Sequence, residues 1–174
     1  MRPPSTLCRL AVLVAALQLA TAIWHDARAA DVPRVAVFDF ELIDTSLEGE
    51  MSGSRADEQA RLILISDLLR QKLAESGRYV VVDQSPAAQR IADAGYIHGC
   101  NGCEAGIAHS LGADLAVTGT VQKVSNLILN VNIYVRDAAN GKRLRAMSAD
   151  IRGNTDTSWS RGVSYLVRNR LLKE

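Results

Sequence analysis

Between Leu127 and Val135 the chain alternates apolar Leu127, Leu129, Val131, Ile133 and Val135 with Asn130, Asn132 and Tyr134. A period of two marks a strand with one face on a core and the other in water. The Asn140-Gly141 pair that follows tolerates positive φ at both residues, so the chain is expected to turn there into a return strand from Arg143 to Ile151. A hairpin with one apolar face needs a covering layer. The last segment, Thr157 to Leu172, offers one, because Trp159, Val163, Leu166, Val167 and Leu171 fall on a single helical face.

The rest of the chain supplies more strands and helices. Arg34 to Leu42, after Pro33, is an apolar, β-rich run and reads as a central strand. Ile43 to Arg55 lacks periodicity and reads as an exposed acidic loop. A long helix is expected over Ala56 to Ser76, where Ile65, Leu68, Leu69 and Leu73 recur at three- and four-residue steps and Gly77 supplies the stop. Tyr79 to Asp83 reads as a short strand. A short helix from Pro86 to Ala94 would have Ser85 as its cap and proline at its first position. A Gly-rich stretch, Gly95 to Gly102, leads to a helix from Cys103 to Leu111, and a strand starts at Leu115 and runs past Lys123. The fold class that follows is α/β of the mixed α+β kind: a single mixed sheet of about five strands with a long helix, short helices and a C-terminal helix packed on it.

The first residues constrain location. Arg2 and Arg9, the apolar run Leu10 to Trp24, and Ala27 and Ala29 are laid out as a secretory signal. Residues 1–29 are therefore expected to be removed, with the cut after Ala29, leaving residues 30–174 as a single periplasmic domain of a Gram-negative bacterium, without a membrane span. Residues 30–174 carry 17 Lys+Arg against 18 Asp+Glu. Asp31 to Cys100 has 12 acids and 7 bases, whereas Arg136 to Glu174 has 9 bases and 4 acids, a polarity able to orient a protein partner. Balanced charge and an aromatic content of 5% leave no footprint for nucleic acid.

Cys100 and Cys103 are the sharpest local feature. In an oxidising compartment such a pair is expected to form a disulfide that fixes the Gly-rich turn. Two chemical readings stand beside it. A redox pair would use Cys100 as attacker and Cys103 as resolver, since a thiolate at a helix N-terminus has a lowered pKa. A zinc-type metal site would draw on His98, Cys100, Cys103 and His109. His98 otherwise reads as a surface loop residue and His109 as a partly buried helix residue. Asp39, Asp83 and Asp114 lie within or beside strands, where carboxylates commonly cap turns or helices. No nucleophile elbow, phosphate loop or dinucleotide fingerprint occurs, so neither enzyme activity nor a cofactor is expected, and no catalytic residue is assigned.

Several stretches carry a resemblance: Val35-Ala36-Val37-Phe38-Asp39-Phe40, Leu68 to Leu73 before Ser76 to Asp83, Leu111-Gly112-Ala113-Asp114-Leu115-Ala116-Val117-Thr118-Gly119, and Asp137 with Gly141-Lys142-Arg143. In these the chain resembles the N-terminal domain of the translocation protein TolB and the related curli-secretion and lipoprotein-activator domains of the bacterial envelope. Cys100-Asn101-Gly102-Cys103-Glu104 and Val121 to Leu127 are more closely similar to a smaller family of exported bacterial proteins of unknown function, the DUF2380/DUF3280 type. The resemblance implies a TolB N-terminal-like fold and a non-catalytic binding or assembly module that contacts an envelope or periplasmic protein. It also carries a faint link to periplasmic quinoprotein oxidation. A thiol-redox or metal-binding accessory role for Cys100 and Cys103 is the alternative. Several members of the broader group are lipoproteins; here Cys8, after Ser5-Thr6-Leu7, does not match a lipidated cysteine.

Overall fold

The computed structural model describes Val32–Lys173; the expected export segment and its cut lie outside the described residues. Strand β1 (Arg34–Asp44) is followed by the short helix α1 (Leu47–Ser52), the long helix α2 (Ala56–Glu75) and the two-residue strand β2 (Val80–Val81). A 3-10 turn (Ser85–Ala87) leads into α3 (Ala88–Ala94) and α4 (Cys103–Ser110). Strands β3 (Leu115–Ser125), β4 (Ile128–Asp137) and β5 (Arg143–Ile151) then form a meander, closed by α5 (Asp156–Leu166) and a wider π turn (Val167–Leu171).

All five strands lie in one sheet, in the order β2-β1-β3-β4-β5. β1 is parallel to both its neighbours, and the β3-β4 and β4-β5 pairs are antiparallel. The mixed sheet expected from the sequence is therefore present. β1 is apolar throughout because it is covered on both faces. Val35 and Val37 join the core under α2 and α5, with Leu62, Ile65, Leu69, Trp159 and Val163, whereas Ala36 and Phe38 join a second core with Ile107, Ala108 and Ala113. A bulge between Val37 and Phe40 shifts the register of β1 against β3. It lets the Phe40 ring lie where a side chain at 119 would stand, which is why Gly119 sits opposite.

Three expectations need correction. The acidic stretch Ile43 to Arg55 is not a plain loop: β1 continues to Asp44, and Leu47–Ser52 is helical. Ser46 caps that helix by accepting the Gly49 N–H. Ser85 does not cap the segment after β2; Asp83 does the equivalent work, its Oδ1 accepting the Ser85 N–H and O–H, because a carboxylate is the stronger acceptor. The expected hairpin is present, its loop spanning Ala138 to Lys142 before the return strand at Arg143. Asp137 Oδ1 accepts the Ala139 and Asn140 N–H groups, and positive φ is needed only at Gly141. Finally, His109 is exposed rather than partly buried.

Candidate functional site

Strands of an open α/β sheet present their carboxyl ends to ligands and partners, and two features meet at that end of β1. The first is a buried lysine. Lys123 follows Val117 and Val121 in period two, so its side chain enters the core face of β3, where it is 0% exposed. Its Nζ donates to Glu58 Oε1 at 2.7 Å, Asp44 Oδ2 at 3.0 Å and Glu48 Oε2 at 3.2 Å. These carboxylates come from the end of β1, from α1 and from the first turn of α2. Glu58, also 0% exposed, accepts from Asn154 Nδ2 at 2.6 Å, and Glu48 accepts from Asn126 Nδ2 at 3.0 Å. One lysine thus ties two helices, the β3-β4 turn and the segment before α5 to the sheet.

The electrostatics follow from this geometry. Burial would lower the Lys123 pKa, but hydrogen bonds to the three carboxylates outweigh it and raise the ammonium above the ordinary lysine range. Burial likewise opposes ionisation of Asp44, and the Ser46 hydroxyl and N–H, together with Lys123, prevail and hold its carboxyl below the usual value. The Glu48 carboxyl is lowered by Asn126, Lys123 and Arg55.

Helix α1 rides on this anchor without entering the core. It has no buried residue, and Leu47 and Met51, one turn apart, are 71% and 78% exposed. Between α1, the start of α2 and the Gly95-Tyr96 corner lies an open cleft of about 380 Å³, lined by Phe40, Leu42, Gly49, Gln59, Leu62 and Tyr96 among others.

The second feature is the cysteine loop, which borders the same cleft. Glu41 accepts the Ile97 N–H at 2.6 Å and the His98 N–H at 2.8 Å, and Tyr96 Oη donates to Leu42 O at 3.3 Å. The His98 ring lies 5.3 Å from that of Tyr134, and Glu104 Oε1 meets Arg136 Nε at 2.6 Å. Cys100 and Cys103 have their sulfurs 1.98 Å apart and their Cα atoms 5.5 Å apart. Asn101, between them, holds a φ of 57° and Gly102 one of 99°, which forms the tight turn into α4.

The other sequence candidates are placed as follows. Among the described residues, the group near the two cysteines that could offer ligand atoms together is Cys100, Cys103 and Glu104; the rings of His98 and His109 are not part of it. Asp39 pairs with Arg70, Asp83 caps the 3-10 turn, and Asp114 Oδ2 accepts the Arg34 N–H at 2.8 Å at the opposite end of β1. Asp114 thus lies apart from the other two. Lys123, Glu58 and Asp44 were not singled out by sequence, although an inward-phased lysine on β3 beside an acidic stretch is a readable signal.

Joining Cys100 to Cys103 closes a far shorter loop than the 15-residue one worth about 3 kcal/mol. Reduction, or replacement of both by serine, is therefore expected to lower stability by well under that figure. Hydrogen exchange should speed up from Gly95 to Gly102 while the β4 amides stay protected. Alkylation mass spectrometry of the untreated protein should find both sulfurs blocked.

A family model described as "Protein of unknown function (DUF2380)" matches residues 33–171. No curated protein matches the chain. Among solved structures, the LpoB C-terminal domain from Salmonella enterica aligns with a TM-score of 0.51 at 16% identity, covering 77% of this chain and 92% of that one. Lipoprotein GNA1162 from Neisseria meningitidis aligns at 0.47 and 19% identity, over 82% and 98% of the two chains. TolB from Acinetobacter baumannii aligns at 0.46 and 14% identity, over 81% of this chain and 28% of that one. The likeness to the LpoB domain shows a shared fold.

Proposed function

Since the chain belongs to the family "Protein of unknown function (DUF2380)", matched over every strand and helix of the sheet, we propose that it is a non-catalytic binding or assembly module of the bacterial cell envelope. It works through protein-protein contacts in the periplasm after loss of residues 1–29. The observation that carries this reading is α1: an apolar pair, Leu47 and Met51, presented to solvent on a helix whose polar side is anchored by Lys123. Exposed apolar side chains on a fixed support cost little conformational entropy on docking. Glu50 on the same helix suits a partner surface with an apolar pocket and a basic rim, Glu48 and Asp57 being already paired with Arg55. The Cys100-Cys103 pair is read as the staple of the neighbouring loop. A narrower role beside periplasmic quinoprotein oxidation rests on the family resemblance alone.

The test is a photo-crosslinking residue placed at 47 or 51 in the exporting cell, with position 75, exposed at the far end of α2, as the control. A discrete adduct is expected from the first two sites and none from the third. The double variant Leu47→Asp, Met51→Asp should weaken capture of that partner at least about tenfold, equivalent to about 1.4 kcal/mol, with no change in melting temperature. Absence of a specific adduct at both sites, or full binding by the double variant, would overturn the proposal.

A further inference from the structure

The sheet has two borders, and they are built differently. Along β1, beyond the two residues paired with β2, side chains close the edge. Val37 O accepts from Arg70 Nε and Nη2, Phe40 N donates to Ser66 Oγ, and Leu42 O accepts from Tyr96 Oη. Among the described residues no side chain caps β5 in this way, and β5 runs for nine residues with β4 as its neighbour. A long open edge is a template for another strand unless something blunts it.

The hydrogen-bond phase shows which backbone groups are open. Asp137 N donates to Lys142 O across the hairpin, so Asp137 and, two residues at a time, Val135, Ile133 and Val131 turn their backbone groups towards β5. Their register partners Arg145, Met147 and Ala149 turn back towards β4. Ala146, Ser148 and Asp150 therefore direct N–H and C=O outwards. The charges that usually guard an edge are drawn aside. Arg143 lies over the Tyr134 ring at 5.3 Å, and Arg145 Nη1 donates to Leu171 O at 2.9 Å, so each is folded onto its own sheet. The middle of the strand is small, with Ala146, Ser148 and Ala149. An open groove of about 450 Å³, lined by Ser148, Ala149, Asp150, Arg161, Gly162 and Tyr165 among others, runs between β5 and α5.

We propose that β5 pairs edge to edge with β5 of a second copy of this chain, antiparallel about a two-fold axis, so that one sheet continues through both protomers. The occupant follows from charge. β5 is entered through Lys142, ahead of the two folded-back arginines, and so begins at a basic end, whereas its other end carries Asp150, which accepts from Asn130 Nδ2 at 2.7 Å, with Arg152 beside it and no net charge. Antiparallel pairing keeps the two basic ends apart and brings each Lys142 to the partner's Asp150, whereas parallel pairing would set basic end against basic end. A two-fold axis makes the contact self-complementary, so assembly stops at the dimer. This inference rests on β5 alone and is independent of the function proposed for α1.

Sedimentation equilibrium of the protein as a Gram-negative host delivers it, across micromolar concentrations, should give twice the monomer mass. Ser148→Pro removes one outward N–H that the β4 ladder does not use, a place where an edge strand accepts proline. It should yield a folded monomer whose melting temperature, unlike the parent's, does not rise with protein concentration, while Ser148→Ala stays dimeric. Asp150→Lys should weaken the dimer at least tenfold, and adding Lys142→Glu should restore it. The charge pair keeps the proposal testable even if the proline variant fails to fold. A monomeric parent, a dimer that survives Ser148→Pro, or one indifferent to Asp150→Lys would overturn it.

Discussion

Replacing Lys123 by alanine is expected to destabilise the protein by about 3–5 kcal/mol, the cost of leaving a buried charge without its counter-ion. Small domains keep about 5–15 kcal/mol in total, so the variant should sit at the edge of unfolding. The asymmetry of the cluster makes the effect large. Glu58 is as buried as Lys123 and would keep only Asn154 and the weak 3.4 Å contact from the Arg55 N–H. Asp44 and Glu48, at 12% and 36% side-chain exposure, can recover water. The double variant Lys123→Met, Glu58→Leu should therefore be markedly more stable than Lys123→Ala, because it removes both fully buried charges and leaves apolar volume. Urea denaturation of the three proteins decides the matter. A double variant no better than the single one would mean that Asp44 and Glu48 carry the penalty.

The same cluster sets the pH limits of the fold. The Asp44 carboxyl is lowered in the native state, so its stabilisation is present above the ordinary carboxylate value and is lost as pH falls below about 4. Lys123 is raised, so its contribution is present below the ordinary lysine value and fades only as pH climbs above about 10.4. Unfolding free energy should be nearly flat between these limits. In Lys123→Met the alkaline decline should shrink.

The contrast between what the sequence told and what it hid follows contact range. The β4 alternation, the apolar run of β1 and the stripe of α2 are local patterns, set by one face meeting a core, and they locate the sheet and its main helix. α1 is different: six residues cannot hold a helix by propensity, and this one is fixed by Lys123 and Asn126, more than seventy residues away in sequence. β2 is shorter than its apolar run because the chain leaves β1 once Val82 N has bonded to Val35 O. The cysteine pair was conspicuous, yet its seat was not, since Glu41, Tyr134 and Arg136 hold that loop across the fold. Lys123 was legible in principle. Its phase with Val117 and Val121 points it inwards, and a buried ammonium demands carboxylates nearby.

Trp159 should give the second large loss and a revealing contrast. Its side chain is 0% exposed, at the meeting of α5 with α2 and the sheet, beside Ile65, Leu69 and Val131. The Arg61 guanidinium stands 6.0 Å from its ring. Trp159→Ala removes the largest of the fully buried side chains and should cost about 3–5 kcal/mol, as core aromatic truncations do. Trp159→Phe should behave otherwise. The indole Nε1 is buried with no hydrogen-bond partner among the described residues, a state that costs about 1–3 kcal/mol, so phenylalanine sheds an unsatisfied donor while it gives up ring volume. The net loss should stay below about 1.5 kcal/mol. Circular dichroism through a denaturant series separates the three proteins. Fluorescence adds an internal check, since Trp24 and Trp159 are the two tryptophans of the sequence and Trp24 lies in the expected export segment. Emission from the processed protein should then be blue-shifted, come from Trp159, and vanish in both variants. A phenylalanine variant as unstable as the alanine one would show that the indole N–H is satisfied in the folded protein and that its loss, not volume, governs the site.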